Sequence, residues 1–241
     1  MQSPPTRCVD CPVRQKALFQ VVAEDYLSDA ESLRAGQFRV PARSHLYQEC
    51  SPATMAYTLF EGWLLLHRTH SDGSRQGLRI ALPGDFIGYS ALHSDHSHGA
   101  MAITDVVVCG FDQADLHQMI DKHLEIARQI NDIQAHYLAT CESNVLGLGR
   151  KSAEQRIAYV VAELYDRLGR RGELDGENGS MPFPLTQEML GELAGLTPVH
   201  TNRVLRKLRS DGVMVCDRQR IAILDPRRLV EIGDYRPSYI A

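Results

Sequence analysis

No apolar run in this 241-residue chain approaches the roughly 20 residues that span a bilayer, and the opening MQSPPTRC lacks the apolar core of a secretory signal. A cytoplasmic protein with no membrane partner is expected. A disulfide framework is also missing: the six cysteines, Cys8, Cys11, Cys50, Cys109, Cys141 and Cys216, are mostly scattered, and a chain this large folds without staples. They read as reduced thiols. There is no net basic charge either. A formal charge of -4 excludes a protein that coats nucleic acid indiscriminately, though not one with a local basic surface. No nucleophile–base pair, phosphate-cradling glycine loop or convergent metal motif stands out beyond the Cys8-x-x-Cys11 pair, so enzymatic chemistry is not expected.

What is present is a globular composition, 44% hydrophobic and 23% charged, at a length that suits two domains. From about Gly36 to Phe111 the chain alternates short apolar runs with turns. An Asp72-Gly73 turn separates Trp63–Leu66 from Leu78–Leu82, Pro83-Gly84-Asp85 breaks the pattern, and AITDVVVCGF adds a β-branched run. The expected architecture is an antiparallel roll or barrel. From Asp112 to Gly149 the periodicity becomes helical, with two apolar stripes. One runs through Ile126, Ile130, Ile133 and Tyr137 toward Thr140 and Asn144; the other through Leu124, Ala127, Leu138, Cys141, Val145 and Leu148. Either both are buried within one domain, or one covers the roll while the other pairs with the same helix of a second subunit. In the second case Thr140 and Asn144 would lie on the seam and weaken the pairing. Gly147 and Gly149 then suggest a hinge, and Ser152 caps a new helix whose buried face is Ile157, Val160, Val161, Leu164 and Leu168.

The segment LTQEMLGELAGLTPVHTNRVLRKLRSDG reads as a helix-turn-helix. Thr186 caps the first helix, Gly195 ends it in a left-handed conformation, Thr197 caps the second and Pro198 occupies its first position. Met189, Leu190 and Leu193 face inward from the first helix, Val204, Leu205 and Leu208 from the second. Val199, His200, Asn202, Arg203 and Arg206 are left outside. Four basic residues, Arg203, Arg206, Lys207 and Arg209, fall together with no acidic residue until Asp211, which places positive charge where a polyanion would dock. Arg203 is the candidate reader of guanine O6 and N7; Arg206, Lys207 and Arg209 are candidates for phosphates. VMVCDRQRIAIL supplies a hairpin wing whose Arg218 and Arg220 could touch the DNA backbone. A ligand-binding or scaffold module without DNA affinity is the competing reading, and salt-dependent duplex binding separates the two.

LPGDFIG, GRKSAEQRIA and the helix-turn-helix segment resemble the CRP/FNR family of bacterial transcription regulators over nearly the whole chain. The resemblance implies an α+β chain with an antiparallel, cyclic-nucleotide-binding-like β-roll, a long dimerisation helix and a C-terminal winged helix-turn-helix. The expected divisions are a tail at 1–18, the sensor-like roll at 19–118, the dimerisation helix and hinge at 119–149 and the DNA-binding domain at 150–241. It also implies a homodimer on a two-fold symmetric promoter site, with RNA polymerase as a further partner if the protein activates. The family's usual glutamate at the start of the recognition helix is Val199 here, so the half-site should keep a guanine at Arg203 but otherwise differ.

The family's effector-pocket positions correspond to Gly88, Tyr89, Ser90, His98 and Gly99. No ribose-binding glutamate and no Arg-Ser pair is present, so cAMP is not the expected ligand and no cofactor is predicted. RCVDCPVRQKALF resembles the tail of members that ligate an iron–sulfur cluster, with Cys8, Cys11 and Cys109 as matching thiols. Ala17 falls near the missing third tail cysteine, and Cys50 would have to be recruited. A thiol redox pair, inert thiols, or metal or haem bound at the His93, His96, His98 loop are the alternatives, the loop reading more simply as a solvated turn.

Overall fold

The computed structural model describes residues 6–22, 27–90, 95–175, 179–217 and 219–237. By its internal contacts the chain divides into two compact units, 1–74 with 79–137, and 75–78 with 138–241.

The β-roll is built from α1 (Leu27–Ser32), β1 (Arg34–Val40), β2 (His45–Tyr47), β3 (Met55–Glu61), β4 (Leu64–Thr69), β5 (Arg75–Ala81), β6 (Phe86–Ile87), β7 (Gly99–Ala102) and β8 (Val106–Asp112). They form two four-stranded sheets, ordered β1-β8-β3-β6 and β2-β7-β4-β5. The expected turn after β4 closes at His70–Ser74, where Gly73 takes a φ of 85°. Residues 6–22 form three short 3-10 turns rather than a loose tail. Leu18, Phe19 and Val22 are buried with Phe86, Phe111, Leu116 and Met119, so the roll's core begins inside the segment assigned to the tail.

Helices α2 (Gln113–Lys122) and α3 (Leu124–Arg150) follow. The first stripe of α3 goes where it was expected, Ile126 and Ile130 being buried against the roll with Ile133 packed beside them. The second is not buried against the chain: Leu124 (61%), Leu138 (61%), Val145 (71%) and Leu148 (41%) are exposed. Gly147 and Gly149 lie within the helix, and the Lys151 N–H still donates to the Gly147 carbonyl at 3.0 Å. Glycine costs a helix only about 1 kcal/mol. The actual break is at Lys151–Ser152, where Ser152 and Gln155 form a reciprocal capping box that starts α4 (Ala153–Arg170).

Beyond α4 come β9 (Ser180–Pro182), α5 (Gln187–Ala194), α6 (Pro198–Ser210), β10 (Met214–Asp217), β11 (Arg220–Ile223) and α7 (Pro226–Gly233), with the strands in the order β10-β11-β9. Ile157, Val161, Leu164 and Leu168 of α4 are all fully buried, as the 3.6-residue period requires, whereas Val160 is half-buried at the edge of that face. Gly233 lets α7 close on α4: a Cβ there would stand 2.8 Å from the Tyr159 nitrogen. Lys151 Nζ completes that corner by donating to the Gly233 carbonyl at 2.6 Å.

Candidate nucleic-acid interface and sensor pocket

The bihelical corner is fixed by local chemistry. Thr186 Oγ1 accepts from the Met189 N–H (3.1 Å), Gly195 adopts φ 61° and ψ 46°, and Thr197 Oγ1 accepts from the His200 N–H (3.3 Å). These bonds satisfy donors that helix starts leave unpaired. Two further residues, not singled out from the sequence, set how closely the helices meet. A Cβ at Gly191 would lie 2.6 Å from the Leu196 carbonyl and 3.0 Å from Thr201 Oγ1. Thr201 itself is fully buried on the inner face of α6, its hydroxyl donating to the Thr197 carbonyl at 3.0 Å. The glycine four residues before Gly195 was the available signal.

The outer face of α6 is open. Val199 is 81% exposed, Arg203, Arg206 and Arg209 are exposed, and His200 is half-buried. Val204 and Leu208 are buried as expected, while Leu193 and Leu205 are only half-buried at the edge of the helix contact. Two expected contacts are already engaged within the chain. Asn202 Nδ2 donates to Gln187 Oε1 at 2.9 Å, tying α6 to α5. Lys207 Nζ pairs with Glu154 (2.7 Å) and Asp211 (2.9 Å), so it reaches a phosphate only by leaving two carboxylates. In the wing, Arg220 pairs with Asp175, and Arg218 lies outside the described residues.

In the roll, the five predicted pocket residues do not form one set. Gly88 (φ 76°) and His98 both approach Tyr47: a Cβ at Gly88 would be 3.4 Å from its ring, and its hydroxyl is 3.0 Å from His98 Nε2. Tyr89 turns instead toward Phe86 and His117, with ring centroids 5.9 and 5.5 Å away. Buried Gln113, unremarked in the sequence, holds the intervening segment by donating to the Gly88 carbonyl (2.8 Å) and accepting from the Ser90 N–H (3.3 Å). A Cβ at Gly99 would meet the His67 ring at 3.0 Å.

The space around Tyr47 is filled by the chain itself. His96 stacks on the Tyr47 ring at 3.9 Å, and Arg79 lies 3.5 Å over Tyr137, whose hydroxyl donates to the Phe86 carbonyl (2.9 Å). Burial, reinforced by the nearby Arg79 charge, pushes His98 down to about 4, so its imidazole is neutral near pH 7 and carries no charge for a phosphate.

A Crp-like helix-turn-helix domain model matches residues 155–232, and a cyclic nucleotide-binding domain model matches residues 37–123. The transcriptional activatory protein AadR of Rhodopseudomonas palustris is 30% identical over 92% of this chain and 91% of its own. This chain belongs to the CRP/FNR family. Another CRP/FNR relative, the nitrogen fixation regulation protein FixK of Bradyrhizobium diazoefficiens, is 29% identical over 92% of both chains. The solved structure of FixK2 from Bradyrhizobium japonicum superposes with a TM-score of 0.74 at 26% identity, covering 83% of this chain and 98% of that one. This CRP/FNR chain is therefore a transcription regulator with a DNA-binding helix-turn-helix, not an enzyme.

The cysteine set differs from a four-thiolate cluster ligand set. Cys8, Cys11 and Cys109 line one cavity together with Ala17. Ala17 is buried there, and Cys50 is exposed beside His45 and His67 in a different groove. Three thiols converge, so a four-cysteine cluster lacks its fourth ligand. His93 lies outside the described residues, and His96 and His98 are turned onto Tyr47. Among the described residues, no group of three or more His, Cys, Asp or Glu is arranged to hold a metal ion.

Proposed function

We propose that the protein works as a homodimer on a two-fold symmetric duplex site, with α6 in the major groove, Arg203 reading guanine and an effector other than cAMP. The observation that carries this reading is α6 itself: its inner face is locked by Thr201, Val204 and Leu208, while Val199 and Arg203, one turn apart, are exposed. Arg203 has the donor fork that matches guanine, and Val199 offers a methyl contact to thymine where a glutamate would have accepted from cytosine. Two copies are supported by α3, where exposed Leu138, Cys141, Val145 and Leu148 recur at spacings of three, four and three. That is a coiled-coil seam. Exposed Asn131 sits seven residues before Leu138 on the same line, where a polar residue would fix register. Asn144 is not on that seam, because its amide donates to the Leu78 carbonyl at 2.8 Å.

Affinity for a selected duplex, titrated over salt concentration by fluorescence anisotropy, tests the reading. Each phosphate contact contributes about -0.9 to the slope of log affinity against log salt, so Arg206→Ala is expected to flatten the slope by roughly 2 in a dimer. Absence of duplex binding at low salt would defeat the proposal, and an unchanged slope would remove Arg206 from the phosphate contacts.

The filled space around Tyr47 supports the exclusion of cAMP. Millimolar cAMP is expected to leave the thermal unfolding midpoint where it is, whereas a ligand at 100 times its Kd stabilises by about 2.7 kcal/mol. A clear upward shift would show that Tyr47, His96 and His98 move aside for a nucleotide.

A further inference from the structure

The cavity shared by Cys8, Cys11 and Cys109 plays no part in reading DNA. Its wall comes from two adjacent strands, Thr58 of β3 standing directly opposite Cys109 of β8. The tail covers it. Thr6 N–H donates to Gln37 Oε1 (3.4 Å), the Arg34 guanidinium donates to the Thr6 carbonyl (2.5 Å), and the Cys11 N–H closes a turn onto the Cys8 carbonyl (3.4 Å). Cys8 and Cys11 are thereby held over a strand far away in sequence.

The walls are mixed, with Phe60 and Phe111 beside Thr6, Arg14, Arg34 and Thr58, and three polar groups bear on Cys109. Gln37 Nε2 donates to its sulfur at 3.8 Å, and Arg34, whose side chain is only 7% exposed, also donates to it. Burial pushes the Cys109 thiol up, and these two donors act against that rise. The third group is the Thr58 hydroxyl. Thr58 is 6% exposed, and its Oγ1 has no hydrogen-bond partner among the described residues. A buried polar group left unpaired costs about 1–3 kcal/mol. The cavity volume of about 40 Å³ exceeds what one water requires. Thiol, hydroxyl and guanidinium all line this space, which gives a small molecule with oxygen atoms donors to bind.

We propose that this cavity is a hydroperoxide-reactive site, with Cys109 as nucleophile, Thr58 and Arg34 holding the peroxide oxygens, and the tail cysteines resolving the product. The Cys109 sulfur attacks one oxygen of hydrogen peroxide as its proton is given up, and the O–O bond breaks. Cys109 becomes a sulfenic acid, and the second oxygen leaves with the thiol's proton as water. The Cys11 thiol then attacks the Cys109 sulfur, forming a disulfide and releasing a second water. Cys8 attacks the Cys11 sulfur in turn, which returns Cys109 to the thiol and leaves a Cys8–Cys11 disulfide. Two thiols lose two electrons and the peroxide gains them. The i,i+3 spacing of the tail pair on a 3-10 turn brings their Cα atoms near the separation a disulfide requires.

The test uses the full reduced chain, purified without oxygen and given one equivalent of hydrogen peroxide, with peptide mass spectrometry as the readout and no DNA present. Disulfides joining Cys109 to Cys11 and Cys8 to Cys11 are expected, and dimedone should trap a sulfenic acid at Cys109 in the Cys8→Ser/Cys11→Ser variant. Thr58→Val, with unchanged circular dichroism, should slow Cys109 oxidation about tenfold, the worth of one hydrogen bond. Cys109→Ser should prevent the Cys8–Cys11 bond at this dose. The proposal is overturned if exposed Cys50 oxidises as fast as Cys109, if Thr58→Val reacts at the parent rate, or if Cys8 and Cys11 pair equally well without Cys109.

Discussion

Replacing Leu138 and Val145 together by glutamate is expected to yield a folded monomer that binds its two-fold DNA site at least about 100-fold more weakly, the lower range of what linked binding sites gain over single ones. The fold should survive because both side chains are exposed in the single chain, at 61% and 71%. The dimer should not, since each apolar side chain removed from water at a seam contributes roughly 1.5–3 kcal/mol and the substitutions place like charges across the two-fold axis. Sedimentation velocity checks the mass, and circular dichroism checks the fold. A variant that still sediments as a dimer would move the subunit interface off α3.

Arg203→Ala should have the second largest effect. Loss of a bidentate contact to guanine costs about 1–3 kcal/mol in each half-site. Binding to the selected duplex should fall by that amount, while binding to unrelated sequence should fall only as one lost charge dictates. Arg203→Lys separates the two contributions, because it keeps the charge and loses the planar fork. Equal losses on selected and unrelated duplex for the alanine variant would mean that Arg203 contacts the backbone alone.

The helix-turn-helix was legible because its signals are local. Thr186, Gly195, Thr197 and Pro198 each act within one turn of their own position, and each does what its side chain dictates. The roll's strands were legible for the same reason, from turns such as Asp72-Gly73. Long-range meetings left no such trace. Nothing near Lys207 announces Glu154, more than fifty residues earlier, and nothing in CVDCPVR shows that Thr58 and Cys109 wait beneath it. The helix break does fall within GLGRKS, but at its end and not at its glycines, because a helix tolerates glycine when the competing cap lies just beyond, at Ser152. The effector pocket was read only by position, and position does not tell that Tyr89 turns toward His117 while His98 turns toward Tyr47.

The tight corner at Gly191 and Thr201 divides α6 into two faces with separate histories open to them. Substitution on the inner face is constrained by the fold, because Thr201 is fully buried and a Cβ at Gly191 of α5 would already stand 3.0 Å from its hydroxyl. On the outer face, Val199 touches little of its own chain, so it can be exchanged at small cost to folding. On the proposed reading of DNA by α6, the set of promoters such a protein governs can therefore drift by single mutations while its architecture is inherited unchanged.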